Sequence, residues 1–488
     1  MTVSLHCDLN QTPLPLRHAW RECVGSSHAV MALRADWQRQ LRLAHDELGF
    51  RCVRMHGILD DAMGTVVCQD RQLLYSFHNA DLICDFLLEI GMRPLVELSF
   101  MPGALASGDT TVFHYRANVT PPADMAQWAD LLRRLAAHWV ARYGIDEVAQ
   151  WRFEVWNEPN LAAFWPAGKQ AYFALYAATA AALKRVDERL QVGGPATAQN
   201  AWIGEFLAWC AQHGAPVDFI STHYYPTDAF GQPGTDTVTQ LAHAPPHVMR
   251  VQACRARAEA GALPLLYTEW SVSSNPRDPL HDAAFGAALA LRSALDVDDQ
   301  VDAFSYWTFS DLFEENYFPD LPFHGGFGLL SMHGVRKPVY RAFELLAALG
   351  TRHYPLAQNH PSVRLWVGDG GDTGGKPDQI RVLFINQAMP HHPIAGEAVE
   401  LTLRARPGWR ARAATLACID EQHGNPAQLW RRMGRPATLA PDQLARLHQA
   451  SALHELPLTR HESGGQTVLR WDVAPQSAGL ARLDWEPV

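Results

Sequence analysis

Trp151-Arg-Phe-Glu-Val-Trp-Asn-Glu-Pro-Asn160 is an apolar and aromatic run that closes on an acid and a proline. Read as a strand, it carries Asn157 and Glu158 to its C-terminal edge, where Pro159, lacking an N–H, cannot continue the ladder. A second run of the same design, Leu265-Leu-Tyr-Thr-Glu-Trp-Ser271, delivers Glu269 to its own C-terminal end. Around these two, short β-type runs alternate with amphipathic helical stretches from about residue 15 to residue 350. The expected strands are Arg17–Glu22, Cys52–Gly57, Arg93–Phe100, Trp151–Trp156, Gln191–Pro195, Phe219–Tyr224, Pro264–Trp270 and Ala303–Phe309. The expected helices are Ala35–Leu48, Asn79–Ile90, Pro122–Tyr143, Gln170–Leu190, Trp202–His213, Pro246–Gly261, Asp282–Leu295 and Lys337–Leu349, with apolar residues at helical spacing such as Trp128, Leu131, Leu132 and Leu135. A strand followed by a helix eight times over, with no glycine-rich nucleotide turn after the first strand, predicts a closed (β/α)8 TIM barrel of the α/β class. On that count Glu158 follows the fourth strand and Glu269 the seventh. His56, Glu97, His223 and Trp307 end other strands, and the C-terminal strand ends are where such barrels build their active sites.

After about Thr351 the helical spacing fades. Alternating runs appear at Val363–Val367, Gln379–Asn386, Ala398–Leu403, Ala414–Ile419, Thr467–Val473 and Gly479–Trp485, broken by turn-rich segments such as Gly368–Gly375. This pattern predicts a C-terminal β-sandwich over residues 351–488 appended to a catalytic barrel over 15–350. The short run Ser4–Leu9 within residues 1–14 is expected to join the sandwich sheet.

The 488 residues are 48% hydrophobic and 19% charged, an ordinary globular balance, and the net charge of −10 disfavours nucleic acid or an anionic membrane as partner. Eight cysteines stand singly, with none of the CxxC pairs of a zinc or redox site, so neither a metal nor a cofactor is expected. Met1 to Pro13 has neither a basic start nor a continuous apolar stretch, and no later segment reaches the roughly 20 apolar residues of a membrane span. The expectation is a cytoplasmic protein, and the lack of a long helical tail favours a monomer.

Two carboxyl groups on opposite walls of a barrel mouth suit hydrolysis of a glycosidic bond. One protonates the departing oxygen. The other attacks the anomeric carbon directly when the pair lies about 5–5.5 Å apart, or activates a water when it lies about 6.5–9.5 Å apart. The segment Trp151–Asn160 resembles the signature of family 39 of the glycoside hydrolases, which includes β-xylosidases and α-L-iduronidases. The strand order from about residue 15 to 350 and the short sandwich after it are similar to that family as well. The resemblance implies Glu158 as acid/base, Glu269 as nucleophile and retention of anomeric configuration, with Asn157 holding the sugar 2-OH. More loosely, His56, His223 and Tyr225 resemble sugar-contacting residues, and His223 and Tyr225 would orient Glu269. Trp307 and the pair Glu314–Glu315 resemble the wall and the hydroxyl clamp of the sugar site, with Phe113 and Phe164 at its entrance.

Within such a family, xyloside and iduronide differ in charge. The segment Ser310–His324 after the eighth strand is rich in Asp and Glu and holds no Lys or Arg, so it would repel a uronate and accept hydroxyl hydrogen bonds. It favours a neutral pentose and points to an exo-acting retaining β-xylosidase on short xylo-oligosaccharides. The rivals are an α-L-arabinofuranosidase, β-glucosidase or α-L-iduronidase on the same barrel, and a non-catalytic carbohydrate-binding protein that kept the fold.

Overall fold

The computed structural model describes residues 2–227, 235–370, 379–405, 407–463 and 465–487. Eight parallel strands close into a barrel in chain order: Val24–His28, Cys52–His56, Arg93–Leu98, Arg152–Val155, Gln191–Thr197, Phe219–His223, Leu265–Trp270 and Ala303–Tyr306. Seven of these eight overlap the strands expected from sequence; the first does not. Arg17–Glu22 instead contains a single 3-10 turn at Ala19–Arg21, whose Trp20 packs against Phe50 and Phe343. The true first strand, Val-Gly-Ser-Ser-His, has one β-branched residue in five, so its propensity signal is weak. Its glycine answers a packing demand, because a Cβ at Gly25 would overlap the Trp307 ring.

The helices fall close to their expected spans, from Ala35–Leu48, where the bounds coincide, to Pro338–Ala347. Among them, Ala284–Val297 is buried almost all round, with 12 of its 14 residues inside. A helix without a polar face needs cover on both sides. The second cover is a seven-stranded sheet running Leu14–Pro15, Arg352–Tyr354, Val363–Gly368, Gln379–Asn386, Ser477–Pro487, Trp409–Ile419 and Leu456–Pro457. Leu383, Ile385, Ile419, Ala478 and Leu480 of that sheet share the barrel's apolar core. This is why Gln379–Asn386 is buried on both faces rather than on alternate residues.

A four-stranded sheet covers the sheet's other side, in the order Thr2–Asp8, Glu397–Arg404, Gln466–Val473, Arg460–Ser463. Val3, Leu5, Val399, Leu401 and Leu469 share a core there with Val363, Leu365, Val382 and Leu483 of the larger sheet. Thr2–Asp8 pairs parallel to Glu397–Arg404 and buries every second residue.

Among the described residues after 350, the all-β reading fails between 426 and 450. Residues Pro426–Arg432 and Pro441–Ala450 are helices, each opened by a proline at its first turn. Ala427, Trp430 and Leu447 from them form an apolar cluster with Phe323 and Val335, residues that follow the eighth barrel strand. This insertion therefore braces the loop that carries Glu314 and Glu315.

Gly25→Ala should force the Trp307 ring or the first strand to shift, at a cost of about 1–3 kcal/mol. Denaturant unfolding with near-UV circular dichroism measures it; an unchanged midpoint and an unchanged tryptophan signal would refute the tight contact.

Candidate active site

Inward-facing residues alternate along a barrel strand, so each strand presents residues two apart to the interior. On the second strand these are Arg54 and His56, both buried. On the fourth, the strand ends at Val155, and Trp156 and Glu158 then take left-handed backbone angles (φ 69° and 43°), a sparsely populated region that turns the chain at the barrel mouth. The Glu158 N–H donates to the Ala196 carbonyl at 2.8 Å, and the Trp156 indole donates to the Phe164 carbonyl at 2.8 Å, fixing that turn.

The seventh strand carries a bulge. Thr222 pairs with Tyr267 and His223 with Glu269, so Thr268 has no register partner. A bulge re-aims side chains that regular alternation would send to opposite faces. Here both Thr268 and Glu269 reach the interior: Thr268 meets His223 and Glu154, and Glu269 meets Arg54 and Tyr225.

Arg54 is the hub. Its guanidinium donates to Glu154 at 2.5 Å, to Glu269 Oε1 at 2.6 Å and to Asn157 Oδ1 at 2.9 Å, and it lies 2.8 Å from Glu97. Burial alone would lower its pKa, but Glu154, Glu97 and Glu269 outweigh that and hold it well above the ordinary arginine value. Glu269 completes its shell with the Tyr225 hydroxyl, which donates to Oε2 at 2.8 Å.

Glu158 is placed differently. Its Oε1 lies 3.0 Å from His223 Nδ1, and its carboxyl is held well above the usual carboxylate range, first by burial and then by the neighbouring Glu269 charge. One carboxylate oxygen of each of Glu158 and Glu269, together with a ring nitrogen of His223, lie within 4.8 Å of one another. Such a trio has the spacing of metal ligands, although the sequence shows no metal-binding cluster. The Arg54 cation on Glu269 would oppose a dication there, and Tyr225 and the two glutamates' own contacts already use the atoms. The arrangement fits a pair of reacting carboxyl groups instead.

Around this pair the other expected residues divide. His223, expected beside Glu269, bonds Glu158 and stands 3.7 Å from Glu269. The cause is the bulge, which sets His223 level with Glu269 in register while its ring lies between Glu158 and Thr268. Burial, with Arg54 and His56 nearby, pushes its pKa well below the ordinary imidazole value, which favours the neutral ring. His56 donates to Glu97 at 2.7 Å and reaches Glu315 at 3.3 Å. Glu314 and Glu315, expected to act as a pair, face separate histidines: Glu314 bonds His28 at 2.8 Å, and His28 also bonds Asp60 at 2.6 Å. Glu315 Oε1 is buried without a hydrogen-bond partner of good geometry, a position that a sugar hydroxyl could fill.

Trp307 is only 2% exposed, its ring 4.8 Å from His56 and covered by Phe313 and Gly25, so most of its surface is packing. Phe113 lies 6.0 Å from His56 and 5.5 Å from Phe164, forming one aromatic side of the site with Phe100. Arg54, Glu154, Thr268, His28, Asp60 and Tyr115, the last of which stacks on His28 at 4.0 Å, join the site without being marked by the strand-end pattern. For Arg54 and Glu154 a signal exists: a charged residue inside an otherwise apolar barrel strand has to be paired inward.

Residues 3–465 match the sequence family described as glycosyl hydrolases family 39. The chain belongs to that family. It is 44% identical to a β-xylosidase of Caldicellulosiruptor saccharolyticus over 439 residues, 89% of this chain and 88% of the relative. A β-xylosidase of Geobacillus stearothermophilus is 40% identical over 432 residues, covering 86% and 83% of the two chains. The crystal structure of a monomeric β-xylosidase from Caulobacter crescentus superposes with a TM-score of 0.85 at 33% identity, over 99% of both chains. With family 39 membership, the two strand-end carboxyl groups acquire a chemical context that the geometry independently fits.

His28 and His56 are raised to about 9 and about 10 by their carboxylate partners, against burial. Both values lie above the ordinary 6.5, so their stabilisation is complete below that pH and is lost as pH rises through 9 to 10. Thermal midpoints should fall between about pH 7 and pH 10, and His28→Gln should shrink that fall. An identical pH dependence in the variant would remove His28 from the account.

Proposed function

We propose that this chain is a retaining, exo-acting β-xylosidase that releases xylose from short xylo-oligosaccharides. The observation that carries this reading is the closeness of the Glu158 and Glu269 carboxyl oxygens, within 4.8 Å, in a member of family 39. Oxygens that close favour direct attack, for which the carboxyl groups lie about 5–5.5 Å apart, over the interposed water of an inverting enzyme at about 6.5–9.5 Å.

In this reading Glu158 is the acid. Burial and the adjacent Glu269 favour its protonated form, so it can give a proton to the departing glycosidic oxygen. Glu269, oriented by Arg54 and Tyr225, attacks the anomeric carbon and forms a glycosyl ester. Once Glu269 is esterified its charge is gone, which removes one of the causes raising Glu158. Glu158 can then take a proton from the incoming water, and the second displacement restores the original configuration. Asn157, fixed by Arg54, is positioned to hold the sugar 2-OH, and Glu315 to accept another hydroxyl.

A neutral pentose is supported by the same inventory. Arg54 is committed to Glu154, Glu97, Glu269 and Asn157, and Lys337 is buried between Asp282 and Asp311. A uronate carboxylate would meet Glu315 instead. Among the described residues no helix is long and apolar enough to cross a membrane. We place the enzyme in the reducing cytoplasm, acting on imported oligosaccharides, a reading supported by Cys7, Cys23, Cys84 and Cys210 as buried free thiols. A monomer is supported by the monomeric state named for the Caulobacter enzyme. The sandwich is proposed to brace the barrel rather than bind sugar.

Wild-type protein should turn over p-nitrophenyl β-D-xylopyranoside, and Glu269→Ala should lose nearly all of that activity. Added azide should restore turnover in Glu269→Ala with the inverted glycosyl azide as product. Glu158→Ala should lose about 10²–10⁴-fold on xylobiose, whose leaving group needs the proton, and much less on the nitrophenyl substrate. Turnover of another nitrophenyl glycoside but not the xyloside would move the assignment to that sugar. Sugar binding without any turnover would indicate the non-catalytic reading.

A further inference from the structure

Behind the proposed acid runs a chain of hydrogen bonds that the mechanism above does not use. Glu158 Oε1 lies 3.0 Å from His223 Nδ1; His223 Nε2 lies 3.1 Å from Thr268 Oγ1; and Thr268 Oγ1 donates at 2.7 Å to Glu154 Oε1. His223, Thr268 and Glu154 are all fully buried, so bulk water does not complete these bonds. The Thr268 hydroxyl has one hydrogen. If it goes to Glu154, the Thr268 oxygen must accept from His223 Nε2–H. A neutral imidazole then presents a bare Nδ1 to Glu158, and only a protonated Glu158 can complete that bond. If the Thr268 hydrogen points the other way, every link reverses: His223 donates from Nδ1 to a Glu158 carboxylate, and Glu154 must carry the proton.

We infer that Glu154 and Glu158 share a single proton through Thr268 and His223, and that Arg54, by binding Glu154, holds that proton on Glu158. Conversion between the two arrangements moves three hydrogens by one link each, from Glu158 to His223, from His223 to Thr268 and from Thr268 to Glu154. Net, one proton passes between the two carboxyl groups, and no other reactant is needed. The Arg54 Nε contact on Glu154 Oε2 selects the arrangement with Glu154 ionised. Burial acts on Glu154 in the opposite sense, raising its pKa, which keeps the alternative arrangement within reach. Glu154 is thus a positioning residue for the acid step, acting through the His223 tautomer without touching substrate. The seventh-strand bulge is what makes the chain possible, since it turns Thr268 inward beside Glu269.

Other charged groups face Glu158 and His223. Arg54 and His56 come from the second strand, Glu269 from the seventh, Tyr225 from beyond the sixth and Glu315 from the loop after the eighth, while Glu97 of the third strand faces Glu154. All of these act through space, and none is altered by removing the Thr268 hydroxyl. Thr268→Val therefore separates the chain from simple electrostatics.

This inference rests on Glu158 being the acid. The alkaline limb of kcat/KM on xylobiose reads loss of its proton in the free enzyme. Thr268→Val frees His223 to donate to the Glu158 carboxylate, so the limb should move down by about one pH unit, as a hydrogen bond to a charged group is expected to shift it. Glu154→Gln, with its oxygen toward Arg54 and its amide N–H toward Thr268, should reverse the chain and shift the limb the same way. Thr268→Ser should return the limb to its wild-type position. A merely structural Thr268 would lower kcat at every pH and leave the limb in place, and that result would overturn the proposal. Nitrogen-15 histidine NMR, with His223 assigned by its loss in His223→Phe, reads the same question without turnover. Wild type should show the Nε2–H tautomer and Glu154→Gln the Nδ1–H tautomer. An Nδ1–H tautomer in wild type would overturn the chain even if the xylosidase assignment stood. Failure of wild type to cleave any glycoside would overturn the assignment while the tautomer remained measurable.

Discussion

The Arg54 guanidinium is the interaction on which the site depends. Three carboxylates, Glu97, Glu154 and Glu269, converge on one fully buried cation. Taking any of these charges out of water is expensive, and the cluster is stable only because each charge meets an opposite one at hydrogen-bond distance. Removing the cation would leave three buried acids facing each other, a loss of the kind that costs about 3–5 kcal/mol. The second cation, His56, with its pKa raised to about 10, shares Glu97 with Arg54 and extends the neutralised patch to Glu315. The barrel mouth is therefore an acidic core in which Arg54 and His56 offset part of the charge of Glu97, Glu154, Glu269 and Glu315.

The barrel supplies the positions, and the elements outside it hold them. Arg54 and His56 sit two apart on one strand, so both point inward; Glu154 and Glu97 are register partners on adjacent strands, which places two acids side by side. The loop bearing Glu314 and Glu315 is not part of the barrel wall and needs support of its own. Lys337, bonded to Asp282, Asp311 and the Gly326 carbonyl, pins it from beneath. Phe323 packs on Trp430 of the helical insertion, tying the same loop to the C-terminal sheets. The accessory sheets thus bear on the loop of Glu314 and Glu315 through packing.

The barrel is legible in the sequence because its strands and helices keep their periods from the second strand to the last helix, and because Asn157–Glu158–Pro159 is a strand end that few other folds would produce. The first strand escapes such a reading where local propensity gives way to tertiary demand. Val24–His28 is a strand because Trp307 needs Gly25 and the barrel needs an eighth pairing, and neither is visible in five small or polar residues. The helices at Pro426–Arg432 and Pro441–Ala450 escape it because their apolar faces serve a loop far earlier in the chain. In the site, residues at strand ends can be named from sequence, but their partners cannot. That His223 serves Glu158 and that Glu314 parts from Glu315 follow from a bulge and from loop geometry, which alternation patterns do not encode.

The two proposed catalytic glutamates are the same residue type on the same barrel, so their roles must come from surroundings. Glu269 is met by a cation and a phenol, both donors, which suit a group that must present negative charge to carbon. Glu158 is met by a neutral imidazole and by the charge of Glu269, which suit a group that must hold a proton until the leaving oxygen takes it. Opposite environments within 4.8 Å are what separate acid from nucleophile. The separation has a further requirement, because Arg54 touches Glu269 directly and would also stabilise a Glu158 carboxylate through space. Something must resist that pull, and the neutral state of His223 does so only if its Nδ1 carries no hydrogen. A ring nitrogen has no such preference by itself; the preference has to be imposed at the other nitrogen. Thr268 and Glu154 are the groups placed to impose it, and the same guanidinium that bonds Glu269 also anchors Glu154. One buried arginine thereby sets both carboxyl groups, one by contact and the other through a relay of hydrogen bonds.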